Sequence, residues 1–188
     1  MAEPAYPLAL LENDGQTWPA QGEWTYEDYL RLPEGGQRYE VLRGVLHVTP
    51  VPAYGHQFSI WRLSVELSRP ILEQDLGVLL MAPFDIRLPN RLADPVEPDL
   101  VFFRKGNEPQ ADDKDFTGVP DLVIEVLSPG TRKVDERIKM PIYREAAGMG
   151  DRELREALSG QLCRCTGYAG ILASIRAAAG IEDEGTAP

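Results

Sequence analysis

Four charged residues of this sequence are placed where they could do chemistry together. Glu125 interrupts the apolar run Leu122, Val123, Ile124, Val126 and Leu127, which reads as a strand buried on both faces. A carboxylate buried without a partner costs several kcal/mol or takes up a proton. Asp99 opens a second apolar run, "PDLVFF", 26 residues upstream. Adjacent strands would bring both carboxylates to one end of a sheet. There they would repel, and a divalent cation would remove the repulsion. Asp99 and Glu125 are therefore candidate ligands for Mg²⁺ (or Mn²⁺), a hard ion that commonly takes one or two carboxylates plus water and substrate phosphate. Such an ion can orient or activate water and stabilise charge developing on a phosphodiester. Lys139, on the next predicted helix, could offset charge at the same place. Glu40, at the start of an earlier predicted strand, is the fourth candidate catalytic residue.

Each of these residues also has a plainer reading. Glu125 could sit on an edge strand facing water. Asp99 follows Pro98 and could be a turn residue, as could Asp121 after Pro120, an equivalent decoy. Asp135 and Lys139, four apart on a helix, could be a solvated ion pair.

The elements that must position these residues can be read from periodicity. "TYEDYLRLP" starts a short helix, with Thr25 and Asp28 in a capping-box pattern. "RYEVLRGVLHVTP" alternates well enough for two short strands around Arg43-Gly44. From Tyr54 to Gln74 the pattern is helical, with Ile60, Leu63, Leu67 and Ile71 on one stripe, and Pro70 is expected to kink or shorten it. "GVLLMAPFDIRLP" predicts one strand or a bulged pair, and "EPDLVFF" another. "RKGNEPQADDKDFTGVP" reads as a loop before the Glu125 strand. A helix runs next from Thr131 to Ala146, with Val134, Ile138 and Ile142 as one stripe and Asp135 and Lys139 on a different face. Together these elements predict an α/β (α+β) domain around a mixed sheet.

Composition narrows the function. The 188 residues suffice for one domain with a core and a small appendage. No apolar run is long enough to span a bilayer, and the N-terminus lacks a basic start, so a cytoplasmic protein without a membrane partner is expected. The net charge of -11 argues against a basic nucleic-acid coat protein but leaves room for a local patch. Residues 132 to 144 supply one. Arg132, Lys133 and Arg137 are its candidate nucleic-acid contacts.

Residues 26 to 148 resemble the Uma-type family of restriction endonucleases, of the PD-(D/E)XK nuclease fold. The matching pieces are "RYEVLRGVLHVTP", "GHQFSIWRLSVEL", "VEPDLVFF", "GVPDLVIEVLSPGTRKVDERIKMPIY" and "REAAG". The resemblance implies a restriction-endonuclease-like mixed sheet flanked by helices, and a metal-dependent endonuclease with DNA as partner. It implies Asp99 as the Asp of the "PD" motif and Glu125 as the acid of "(D/E)XK". The Lys of that motif would fall at position 127, where this chain has Leu127. In such members the following helix supplies a substitute, which implies Lys139. Glu40 matches an N-terminal acidic position and His56 a helix-start histidine, which could equally be a hydrogen-bonding residue beside the core. The family continues past "REAAG" with further strands, so 1–148 is expected to be a truncated domain.

In place of those strands this chain carries "REALSGQLCRCTGYAGILASI", which resembles the C-terminal part of the [2Fe-2S] subunit of the xanthine dehydrogenase family. That implies Cys163 and Cys165 as remnants of an iron–sulfur site. Such clusters take four thiolates, and this chain has two cysteines. No [2Fe-2S] cluster is expected in the monomer, since only a homodimer pooling its cysteines would supply four. Residues 151 to 180 are expected to form a helical hairpin, with the thiols near its turn. The alternatives to an endonuclease are thus a [2Fe-2S] electron-transfer subunit of a molybdenum hydroxylase-type oxidoreductase and a catalytically inactive chimeric remnant.

Overall fold

The computed structural model describes residues 17–33, 37–49 and 51–148. The expected hairpin over 151–180, with Cys163 and Cys165, lies outside the described residues. A four-residue helix, α1 (Tyr26–Tyr29), is capped by Thr25 and Asp28 in the expected box. β1 (Arg38–Leu42) and β2 (Val45–Thr49) then pair antiparallel around Arg43-Gly44, both in the left-handed region. Gly44 is required there twice over, because a Cβ would fall on the Gly22 carbonyl.

α2 runs from Tyr54 to Glu73, through Pro70 rather than ending at it. Leu67 and Ile71 flank the proline and are buried against the sheet. Their packing outweighs the roughly 3 kcal/mol a proline costs inside a helix. The segment read as one strand or a bulged pair is two strands in two sheets, β3 (Gly77–Met81) and β4 (Asp85–Leu88). Pro83 lies between them and has no N–H with which to continue a ladder. β5 (Ala93–Val96) was hidden by its own proline, Pro95. β6 (Leu100–Arg104) is the expected "DLVFF" strand. β7 (Asp115–Thr117) lies inside the segment read as loop, whose many charges mask it.

Five strands form one sheet in the order β2-β1-β5-β4-β7, antiparallel except for the parallel pair β4–β7. The second sheet is β3-β6-β8, where β8 is Leu122–Ile124. β8 is shorter than the sequence suggests. Glu125 lies just past its end, and Leu127 is exposed rather than buried. β6 is buried on both faces. Leu100 and Phe102 pack on α2, while Val101 and Phe103 pack against the five-stranded sheet. Each such side chain contributes about 1.5–3 kcal/mol of burial. The last helical stretch among the described residues is α3 (Arg132–Val134), a π-helical turn over Asp135–Lys139, and α4 (Met140–Ala146).

Candidate active site

The antiparallel register of β6 and β8 sets Leu100 opposite Ile124, so Asp99 and Glu125 meet one step beyond. The Val126 N–H donates to Asp99 Oδ2 at 2.8 Å, and the Asp99 N–H approaches Glu125 Oε2 at 3.4 Å. The same register sends Asp121 to the far end of the sheet. There it accepts from the Arg104 N–H and from Asn107 Nδ2, which makes it a turn anchor.

Lys139 enters this corner from the π-helical turn. Its Nζ lies 2.8 Å from Glu40 Oε1, 3.2 Å from Glu125 Oε1 and 3.8 Å from Asp135 Oδ1. Asp135 and Lys139 are both buried, so they are not the solvated pair that their spacing allowed. Glu40 projects from the middle of β1, 1% exposed. Its Oε1 also accepts the Glu97 N–H at 2.8 Å. The structure thus brings Asp99, Glu125, Lys139 and Glu40 together. It adds His56, whose Nε2 is 3.2 Å from Asp99 Oδ2. His56 Nδ1 is buried with no hydrogen-bond partner among the described residues.

Two members escaped the sequence reading. Tyr143 donates to Glu125 Oε1 at 2.7 Å. Its signal was the series Asp135, Lys139, Tyr143, each four apart. Arg38 donates to Glu97 Oε2 at 2.9 Å and its Nη1 lies 3.9 Å from Asp99 Oδ1. Its signal was alternation with Glu40 on one face of β1. Arg132, Lys133 and Arg137 are not part of this cluster. They are exposed on α3 and the π-helical turn, and Arg132 pairs with Glu136 at 3.0 Å.

The electrostatics are lopsided. Among the described residues, five carboxyl groups (Glu40, Glu97, Asp99, Glu125 and Asp135) face two side-chain cations, Arg38 and Lys139, besides His56. Burial pushes the Glu125 carboxyl up to about 7 against the pull of Lys139, and Glu40 and Asp99 push the same way as burial. Burial also raises Asp135 and Glu97. For Lys139 burial works against the charge, but Glu40 and Glu125 outweigh it and hold the ammonium above the ordinary lysine value.

A cavity of about 200 Å³ opens on Asp99, Glu125, His56 and Lys139, rimmed by Val51–Ala53 and Ser128–Thr131. That volume holds several waters. Among the described residues no group of three or more His, Cys, Asp or Glu side chains is arranged to enclose a metal ion. The donor set nevertheless fits a hard divalent cation at two oxygens. Of the oxygens of Asp99 and Glu125, Asp99 Oδ1 and Glu125 Oε2 have no partner closer than 3.4 Å among the described residues, and the local excess of acid favours a cation.

The family model Uma2, described as "Putative restriction endonuclease", matches residues 26–151. A crystal structure described as a "putative nuclease belonging to DUF820", from Anabaena variabilis, superposes with a TM-score of 0.53 at 21% identity. The match covers 62% of this chain and 66% of that one, just under two thirds of its length. At that identity the likeness speaks for the fold, a restriction-endonuclease-like mixed α/β arrangement. No curated protein matches. The resemblance of residues 151–180 to a [2Fe-2S] subunit finds no support in these matches, and the family match stops short of Cys163 and Cys165. No helix among the described residues is long and apolar enough to cross a membrane.

Proposed function

The chain belongs to the Uma2 family, described as putative restriction endonucleases, and on that premise we propose that it is a metal-dependent DNA endonuclease of the PD-(D/E)XK type. The observation that carries this reading is the convergence of Asp99, Glu125 and the Lys139 ammonium on one cavity. Asp99 and Glu125 would hold Mg²⁺ or Mn²⁺, which when bound supplies positive charge to the attacked phosphate and its nucleophile. Lys139 carries a charge that survives at neutral pH and stabilises the negative charge developing on the phosphate. Glu40 is a positioning residue. It fixes Lys139 Nζ from one side while the Glu97 N–H fixes Glu40 from the other. Tyr143 and His56 do the same for Glu125 and Asp99, each occupying one carboxylate oxygen. Arg132, Lys133 and Arg137 supply exposed positive charge for the phosphate backbone.

The test is nicking of supercoiled plasmid DNA with Mg²⁺, with Mn²⁺ and with a chelator. Wild-type protein should cleave only with metal. Asp99→Asn and Glu125→Gln should abolish cleavage at unchanged circular dichroism. Lys139→Ala should lower the rate by roughly 10²-fold or more, the scale for loss of one stabilising donor. Cleavage by Glu125→Gln at the wild-type rate would remove Glu125 from the mechanism.

A further inference from the structure

The outer face of α2 carries an apolar seam that the catalytic reading does not use. Tyr54, Phe58, Trp61, Val65, Ser68 and Leu72 succeed one another at intervals of four, three, four, three and four residues. That is the a/d spacing of a helix that packs along another helix. Five of the six are apolar, and those five are exposed: Tyr54 82%, Phe58 46%, Trp61 53%, Val65 49% and Leu72 75%. A separate stripe of the same helix, Ile60, Leu67 and Ile71, is already buried against the sheet. The seam is ordered within itself, since Tyr54 stacks on Phe58 with ring centroids 5.9 Å apart and Phe58 lies 5.6 Å from Trp61.

The geometry points to a second copy of this chain as the occupant, docked by antiparallel pairing of α2 with α2 about a two-fold axis. None of the seam residues belongs to the catalytic cluster, so this docking stands or falls apart from the endonuclease reading. The seam is about 27 Å long at 1.5 Å per residue, and its intervals read the same in both directions. An isologous interface requires such self-complementarity. Reversed on itself, the seam sets large against small. Tyr54 meets Leu72 of the partner subunit, Phe58 meets Ser68 of the partner subunit, and Trp61 meets Val65 of the partner subunit.

Area and charge agree with this occupant. With aromatic side chains worth roughly 150–250 Å² each, the exposed seam amounts to on the order of 600 Å². That reaches the top of the range for a monomer's largest apolar patch. With its polar rim it approaches the roughly 800 Å² per partner of a stable interface. The charges flanking the seam are neutralised along the helix, Arg62 by Glu66 and Arg69 by Glu73. The six seam residues themselves carry no cation with which to hold a nucleic-acid backbone.

The test uses the full-length chain in sedimentation velocity over a concentration series. The expected result is a species of twice the 20.9 kDa chain mass that falls to one chain in Trp61→Glu and in Val65→Glu, at unchanged circular dichroism. A second arm does not depend on how those variants fold. The pair Phe58→Cys/Ser68→Cys, in a Cys163→Ser/Cys165→Ser background, should oxidise rapidly to a disulfide-linked dimer, and neither single variant should. A wild-type chain that stays monomeric overturns the proposal, whether its own residues 149–188 cover the seam or a single-stranded oligonucleotide quenches Trp61 fluorescence. So does a dimer that survives both charge substitutions, or a cysteine pair that cross-links no better than the single variants.

Discussion

Replacing Glu125 with Gln should stabilise the protein in alkaline solution and leave it nearly unchanged in acid. Burial, aided by Glu40 and Asp99, raises this carboxyl from 4.5 to about 7, so the fold prefers its protonated form. Stability from this group is full below the unfolded value and is lost as pH climbs through about 7. The difference corresponds to roughly 3 kcal/mol at about 1.36 kcal/mol per tenfold change. Little of it is screened, since the side chain is only 9% exposed. Glutamine keeps an oxygen for Tyr143 and Lys139, but its amide cannot accept from the Asp99 N–H, a loss of about 1 kcal/mol. In urea denaturation with a chelator present, Glu125→Gln should match wild type at pH 5. At pH 8 it should exceed wild type by about 2 kcal/mol, roughly 5 °C in Tm for a chain of this size. With Mg²⁺ at pH 8 the wild type should gain stability and the variant should not. A variant that is equally destabilised at both pH values would refute the reasoning, because it would mean that Glu125 is a satisfied carboxylate.

Lys139→Ala strips the ammonium from between Glu40 and Glu125 and should cost about 3–5 kcal/mol. Adding Glu40→Gln to that variant should restore part of the loss, and strict additivity in urea melts would show that the two residues are not coupled. Alanine at Arg132, Lys133 and Arg137 together should lower the salt slope of DNA binding by up to about 3, at roughly 0.9 per phosphate contact; an unchanged slope removes them from the interface. Gly77→Ala should destabilise by at least about 2 kcal/mol, since Gly77 has φ +146° and a Cβ would fall on the Phe103 carbonyl; a smaller loss by thermal melt would show that β3 can shift.

The part of this site legible in the sequence was the part carried by neighbouring strands. "PDLVFF" and "DLVIEV" are apolar runs with one acid each. Once β6 and β8 pair antiparallel, Asp99 and Glu125 must share an end while Asp121 leaves for the other. Hydrophobic periodicity also located α2, the β1–β2 hairpin and the helical stretch of α3 and α4. It could not locate β5, whose proline argues against a strand, or β7, only three residues long among charges. It could not show that the chain changes sheet at Pro83, because strands of two sheets look alike in one dimension. The π-helical turn left no mark either, yet it carries Asp135 and Lys139. A helix wheel drawn at 3.6 residues per turn put those two on a face apart from the core, and a π-turn changes that phase.

The burial of Glu125 raises a question that pairing alone does not answer. If the carboxylate needed only one partner, Lys139 would suffice, and Tyr143 would complete its hydrogen bonds. A one-to-one buried pair of that kind holds its acid ionised. Here burial, with Glu40 and Asp99 repelling the charge, still carries Glu125 to about 7 against Lys139, whose ammonium is also held at 2.8 Å by Glu40 and faces Asp135. Arg38 does not relieve the shortage, since its Nε is committed to Glu97. Among the described residues two cations thus face five carboxyl groups, and the surplus lies at the mouth of a cavity. A site built only for stability would replace such a surplus with apolar side chains at no loss. Its retention is understandable if a divalent cation completes the balance. The pH dependence of Glu125→Gln, read with and without Mg²⁺, measures that shortfall directly.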